Sequence, residues 1–126
     1  MKAKITVNAR LPGLNDYVHE CRKNPYSGAQ MKRIAQEICE WSAKQQCKVQ
    51  FKKPVRIRYT FYEKDRRRDK SNIAAFGVKV IEDALVNLQI LKDDGWKYIE
   101  GYSLDFGIDK ARPRIEVEIS ETEQEI

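Results

Sequence analysis

Two groups of carboxylates flank a long apolar stretch in the second half of the chain. Asp69 directly follows Arg66, Arg67 and Arg68, and Asp93 and Asp94 precede Gly95, with Lys79 and Asp83 between the two groups. Carboxylates that approach from separate segments beside a cationic patch are what a hard divalent cation needs when it is held against phosphate. Arginines alone bind a polyanion; arginines with metal-binding carboxylates can also cut one. Each part has a plainer reading too, since a basic run is often a solvated loop and paired acids before a glycine often make only a turn.

The elements that must position these residues follow from hydrophobic periodicity. "KITVNA" reads as a first strand with Ile5 and Val7 inward, and "LPGLN" as a turn before an irregular polar stretch. From Ser27 to about Gln46, Met31, Ile34, Ala35, Ile38 and Trp41 recur at helical spacing and predict the apolar face of an amphipathic helix. Strict alternation in "PVRIRYTFYE" puts Val55, Ile57, Tyr59 and Phe61 on one face of a strand, and Arg56, Arg58, Thr60 and Tyr62 on the other. A helix capped by Ser71 gathers Ile73, Gly77, Val80, Ile81, Ala84, Leu85 and Leu88 on one side, leaving Asn72, Lys79 and Asp83 as a narrow polar stripe opposite. Residues 102–108 and 115–119 alternate about "DKARP" and predict a hairpin, and from about residue 120 an acidic tail reads as disordered. The sum is one α/β (α+β) domain over residues 1–126, a small mixed sheet in β-α-β-α-β-β order with helices packed on it.

Charge distribution narrows the partner. The chain has 126 residues and a formal net charge of +5. Lys52, Lys53, Arg56, Arg58, Lys64, Arg66, Arg67, Arg68 and Lys70 face only Glu63, Asp65 and Asp69 over one stretch, whereas acids gather toward the C-terminus. A localised positive surface favours nucleic acid. There is no apolar run of membrane-spanning length, and "MKAKITVNAR" lacks the apolar core of a signal peptide, so a cytoplasmic protein with no membrane partner is expected. Cys21, Cys39 and Cys47 have no C-x-x-C spacing and suggest neither a disulfide framework nor a zinc site.

The order "RRRDKSN", a helix ending "EDAL" and then "LKDDGW" resembles the RusA family of Holliday junction resolvases, particularly its phage and prophage members. "RLPGLNDYVHECRKNPYSGAQMKR" is similar to that family's opening, with Leu11, Gly13, Asn15, Tyr17, Arg22, Asn24 and Lys32 at familiar places. The resemblance covers most of the chain. It implies a RusA-like subunit that works as a homodimer, binds four-way DNA junctions and makes symmetric magnesium-dependent nicks in recombination and repair. The first aspartate of the family's D-x-D-N motif falls on Asp69, the asparagine on Asn72, and the later aspartate on Asp94, with Asp93 beside it. The second motif aspartate falls on Ser71, a much weaker magnesium ligand, and the lysine of some relatives falls on Ala75, with Lys79 one turn further on.

On that resemblance Asp69 and Asp94 are the catalytic carboxylates and metal ligands, joined by Asp83, Asp93 and Ser71, and Lys79 balances charge on the phosphate. Arg66, Arg67, Arg68 and Lys70 track the DNA backbone, with Asn72, Asn15, Arg22 and Lys32 as further contacts. The expected cofactor is Mg2+, for which Mn2+ substitutes. Two alternatives stand beside this: a junction-binding protein whose cleavage is weakened or lost at Ser71, and a non-catalytic nucleic-acid module that uses the basic strand face around Tyr62.

Overall fold

Residues 55–63 form the strand on which the rest is built. In the computed structural model, which describes residues 1–123, the alternation anticipated there is realised from Val55 to Glu63, with Val55, Ile57, Tyr59 and Phe61 almost wholly buried. The elements run β1 (Lys2–Val7), α1 (Leu14–Lys23), α2 (Ser27–Gln46), β2 (Val55–Glu63), α3 (Lys70–Asn87), β3 (Ile99–Ile108) and β4 (Arg114–Glu121). The strands make one mixed sheet in the order β1-β4-β2-β3, and the three helices pack on it. The architecture is α+β, with one more helix than the periodicity had indicated.

That extra helix is α1, in the stretch read as irregular. It buries no residue fully, so it carries little apolar periodicity to detect. Its start is fixed instead by the Gly13 N–H, which donates to Asp16 Oδ2 at 2.9 Å, and its body by Tyr17, whose ring lies 5.1 Å from that of Phe76 on α3.

The expected hairpin between β3 and β4 is not formed. β3 runs parallel to β2, as a strand joined to it through a helix can, while β4 runs antiparallel between β1 and β2. The more apolar strand takes the doubly paired place: Ile115, Val117 and Ile119 of β4 are buried, whereas Tyr102, Leu104 and Ile108 of edge strand β3 stay exposed. β4 also extends through Ser120 and Glu121, and Thr122 N–H donates to the Pro54 carbonyl at 2.8 Å, so the segment from residue 120 is ordered by pairing rather than a loose tail. The last residues of that expected tail, 124–126, lie outside the described residues.

α2 has the expected bounds but not the expected face. Gly28, Ala35, Cys39 and Ala43 are buried, and Ile34, Ile38 and Trp41 point outward. Small side chains let α2 lie close to its neighbours, and that close approach selects the face in place of bulk hydrophobicity. On α3, Gly77 similarly lets the helix approach Phe61 of β2, where a Cβ would stand 2.9 Å from the ring. At the far edge of the sheet the Gln46 amide makes two bonds to the backbone of Thr6, one donated and one accepted, each 2.7 Å. All three cysteines are free thiols; Cys39 and Cys47 are buried, and burial pushes the Cys39 thiol up to about 12. No helix among the described residues is long and apolar enough to cross a membrane.

Candidate functional site

α3 begins two residues earlier than expected. Asp69, not Ser71, is the N-cap, in extended conformation (φ −69°, ψ 149°), and its carbonyl accepts the Ile73 N–H at 3.1 Å. Aspartate and serine are comparable caps, so the choice falls to the incoming chain, which is held one residue before at Arg68. The Asp69 carboxylate makes no capping hydrogen bond. It and the exposed Ser71 face a cavity of about 860 Å³ lined also by Arg66, Lys70, Phe106 and Ile108. The Lys70 ammonium lies 5.8 Å from the Phe106 ring centre.

The three arginines have different fates. Arg66 borders the cavity and Arg67 is almost fully exposed, whereas the Arg68 side chain is turned inward. Its guanidinium donates to Glu63 Oε1 at 3.0 Å and Oε2 at 2.9 Å, and to the Leu11 carbonyl at 3.0 Å. Arg10 reaches the same Glu63 carboxylate at 3.3 Å. Arg68 therefore joins the end of β2 to the loop before α1 instead of facing solvent. Asn72 is engaged there too, because its Oδ1 accepts the Asn15 backbone N–H at 2.8 Å. Arg22 is exposed in the last turn of α1.

The remaining candidates form a second group. Lys79 Nζ lies 3.1 Å from Asp83 Oδ1 and 3.2 Å from Asp94 Oδ2, and Lys32 Nζ lies 3.0 Å from Asp83 Oδ2. Hydrogen bonds that it donates to Asp83 and then to Asp94 hold the Lys79 ammonium above its ordinary pKa. For Asp83, partial burial acts upward, but the bonds from Lys32 and Lys79 outweigh it and the carboxyl stays below the usual range. Glu82 joins this neighbourhood: burial raises its pKa, although the Tyr59 hydroxyl donates to it at 3.3 Å. Asp93 is exposed beside Asp94.

The two groups are not brought together within one chain. Ten residues of α3 separate Asp69 from Lys79, about 15 Å of helical rise. Among the described residues no group of three or more histidine, cysteine, aspartate or glutamate side chains is gathered to hold a metal ion. The chain matches no family model and no curated protein. Sequence reasoning passed over Glu63 as a partner, yet the signal was present: it shares odd parity with Val55, Ile57, Tyr59 and Phe61 and so had to point inward, where a carboxylate needs a cation.

Proposed function

We propose that the chain is a structure-selective endonuclease of four-way DNA junctions that works as a homodimer with divalent cations. One arrangement carries the reading. Asp69 stands beside the last residues of β3 and Asp94 just ahead of its first, and β3 is an open edge strand. A second copy pairing antiparallel along β3 would bring the Asp69 end of one chain to the Asp94 end of the other. Setting Leu104 opposite its own copy also puts Tyr102 against the partner's Phe106 and Ser103 against the partner's Asp105, so apolar side chains meet and no like charges face each other. Leu104 and Tyr102 are 38% and 51% exposed in the single chain and gain cover in the pair.

In such a pair a divalent ion would be held by Asp69 and Ser71 of one chain with Asp93 and Asp94 of the other, and would polarise the phosphate and activate water. Lys79, released from Asp94, is placed to balance the phosphate charge. Arg66, at the cavity rim, and Arg67, exposed and paired only at 3.7 Å with Asp65, would follow the DNA backbone, a role Arg68 gives up to Glu63. A junction offers two strands of like polarity, and a two-fold pair offers it two equivalent sites.

The test is incubation with a synthetic four-way junction and with linear duplex of the same sequence, in magnesium and in manganese. Paired nicks in the junction alone are expected. Equal affinity for both substrates with no nicking in either ion would sink the proposal. Tight, junction-selective binding without nicks would favour the second reading, a binder disabled by Ser71, which the Lys79–Asp94 ion pair also favours.

A further inference from the structure

The turn after Asp94 presents Trp96 without cover. Its side chain is 101% exposed, the most of any large apolar residue among those described. Indoles ordinarily bury most of their surface. This exposure is built into the backbone. The Gly95 carbonyl accepts the N–H groups of Tyr98 and Ile99, each at 3.0 Å, closing a tight turn that carries Trp96. The Tyr98 carbonyl accepts the Val55 N–H at 2.9 Å, pinning that turn to the head of β2, while Ile90 and Leu91 are buried just before it. The indole is thus held out on a fixed support.

Lys97 and Tyr98, the next residues, wall a groove of about 500 Å³ with Lys52, Lys92, Gln50 and Gln89. No acid lines it. Lys52 and Lys92 have no ion-pair partner among the described residues, and Lys97 lies 5.7 Å from the Tyr98 ring centre. The cavity at the start of α3 differs, since Glu63, Asp65 and Asp69 there offset Arg66, Arg68 and Lys70.

We infer that this face is a second nucleic-acid site, which takes an unpaired DNA strand with its phosphates along Lys52, Lys92 and Lys97 and one base stacked on Trp96. An aromatic platform beside a positive groove is the common design for single strands, because every base has a π-face and the phosphates repeat regardless of sequence. The amides of Gln50 and Gln89 suit the polar edges of bases. One indole is too little apolar surface to hold a lipid bilayer, whereas a single base needs one ring. The place of this site in catalysis rests on the junction reading: Trp96 follows Asp94 closely, so it would engage bases unstacked at the branch point.

Trp41→Phe leaves Trp96 as the sole indole, and its fluorescence can be followed against a short single-stranded oligonucleotide, a blunt duplex, and vesicles of phosphatidylcholine with phosphatidylserine. Quenching by the single strand is expected, and Trp96→Ala should weaken single-strand and junction binding about tenfold while duplex binding holds. Lys92→Gln with Lys97→Gln should lower the slope of log affinity against log salt by about 1.4. An unquenched indole with unchanged single-strand affinity in Trp96→Ala overturns the site, as does a response to vesicles alone. Nicking assays on the parent separate the two readings: Trp96 quenching in a chain that never nicks keeps this site and removes the nuclease, and nicking without quenching does the reverse.

Discussion

Arg68 and Glu63 form a two-pronged ion pair, 3.0 and 2.9 Å, with side chains only 13% and 8% exposed. Without Arg68 the buried Glu63 carboxylate keeps only the longer 3.3 Å contact to Arg10, and Arg68→Ala should cost about 3 kcal/mol in urea denaturation, the low end for a broken buried pair. Arg68→Met combined with Glu63→Gln should recover much of that loss. Arg66→Ala should leave stability unchanged while lowering the salt slope of junction binding by about one. Equal stability of Arg68→Ala and parent would return Arg68 to the surface.

Sites shared between two chains can be restored by mixing inactive variants. Asp69→Asn and Asp94→Asn, each inactive alone, should recover about a quarter of parental nicking when co-refolded in equal amounts, because half the pairs are mixed and each has one intact site. Leu104→Lys, which sets like charges against each other, should abolish the recovery and give a monomer in sedimentation velocity. No recovery from the mixture, with mixed pairs present, would mean that each chain carries its own complete site.

Ser71 lies in the first turn of α3, where an added carboxylate meets the positive end of the helix. Ser71→Asp should therefore fold normally and raise magnesium-dependent cleavage at least about tenfold, or roughly 1.4 kcal/mol of transition-state stabilisation. Manganese should act on the parent better than magnesium does. A folded Ser71→Asp that cleaves no faster would remove this position from the metal site.

Burial raises the Glu82 pKa above its ordinary 4.5, so the folded chain binds that proton more readily than the unfolded one. Its contribution to stability is complete below pH 4.5 and is lost as pH rises through the elevated folded value. Glu82→Gln should thus match or exceed the parent Tm at pH 7, and the advantage should shrink on acidification. A parent that outlasts the variant at pH 7, by a margin that grows with pH, would show the carboxylate to be stabilised as an anion instead.

Alternation made β2 and β4 legible because their inner faces are buried and apolar, save for Glu63 at the end of β2. α3 was legible for the same reason, its broad apolar face lying against the sheet. Pairing was not: nothing in β3 and β4 taken separately says which one enters between β1 and β2, since that depends on relative burial of whole strands. α1 and the outward face of α2 were hidden because docking there rests on small residues and on polar ties such as Asn72 to Asn15. In the candidate site, residue types and order could be read, but distance could not. Lys79 does meet Asp83 and Asp94, while Asp69 stands at the other end of the same helix.

The amide of Gln46 occupies both backbone groups of Thr6 on β1, and Lys2 and Lys4 project from the same strand. Charged residues and occupied backbone groups discourage another strand from adding there. In the pairing proposed above the sheet would have a valence of one, with β3 taking a neighbour that β1 resists. Copies of a sheet open at both edges could stack end to end into a filament, whereas copies open at one edge saturate on first encounter. If copies pair along β3 as proposed, the bonds from Gln46 to Thr6, far from any candidate catalytic group, would hold the stoichiometry at two.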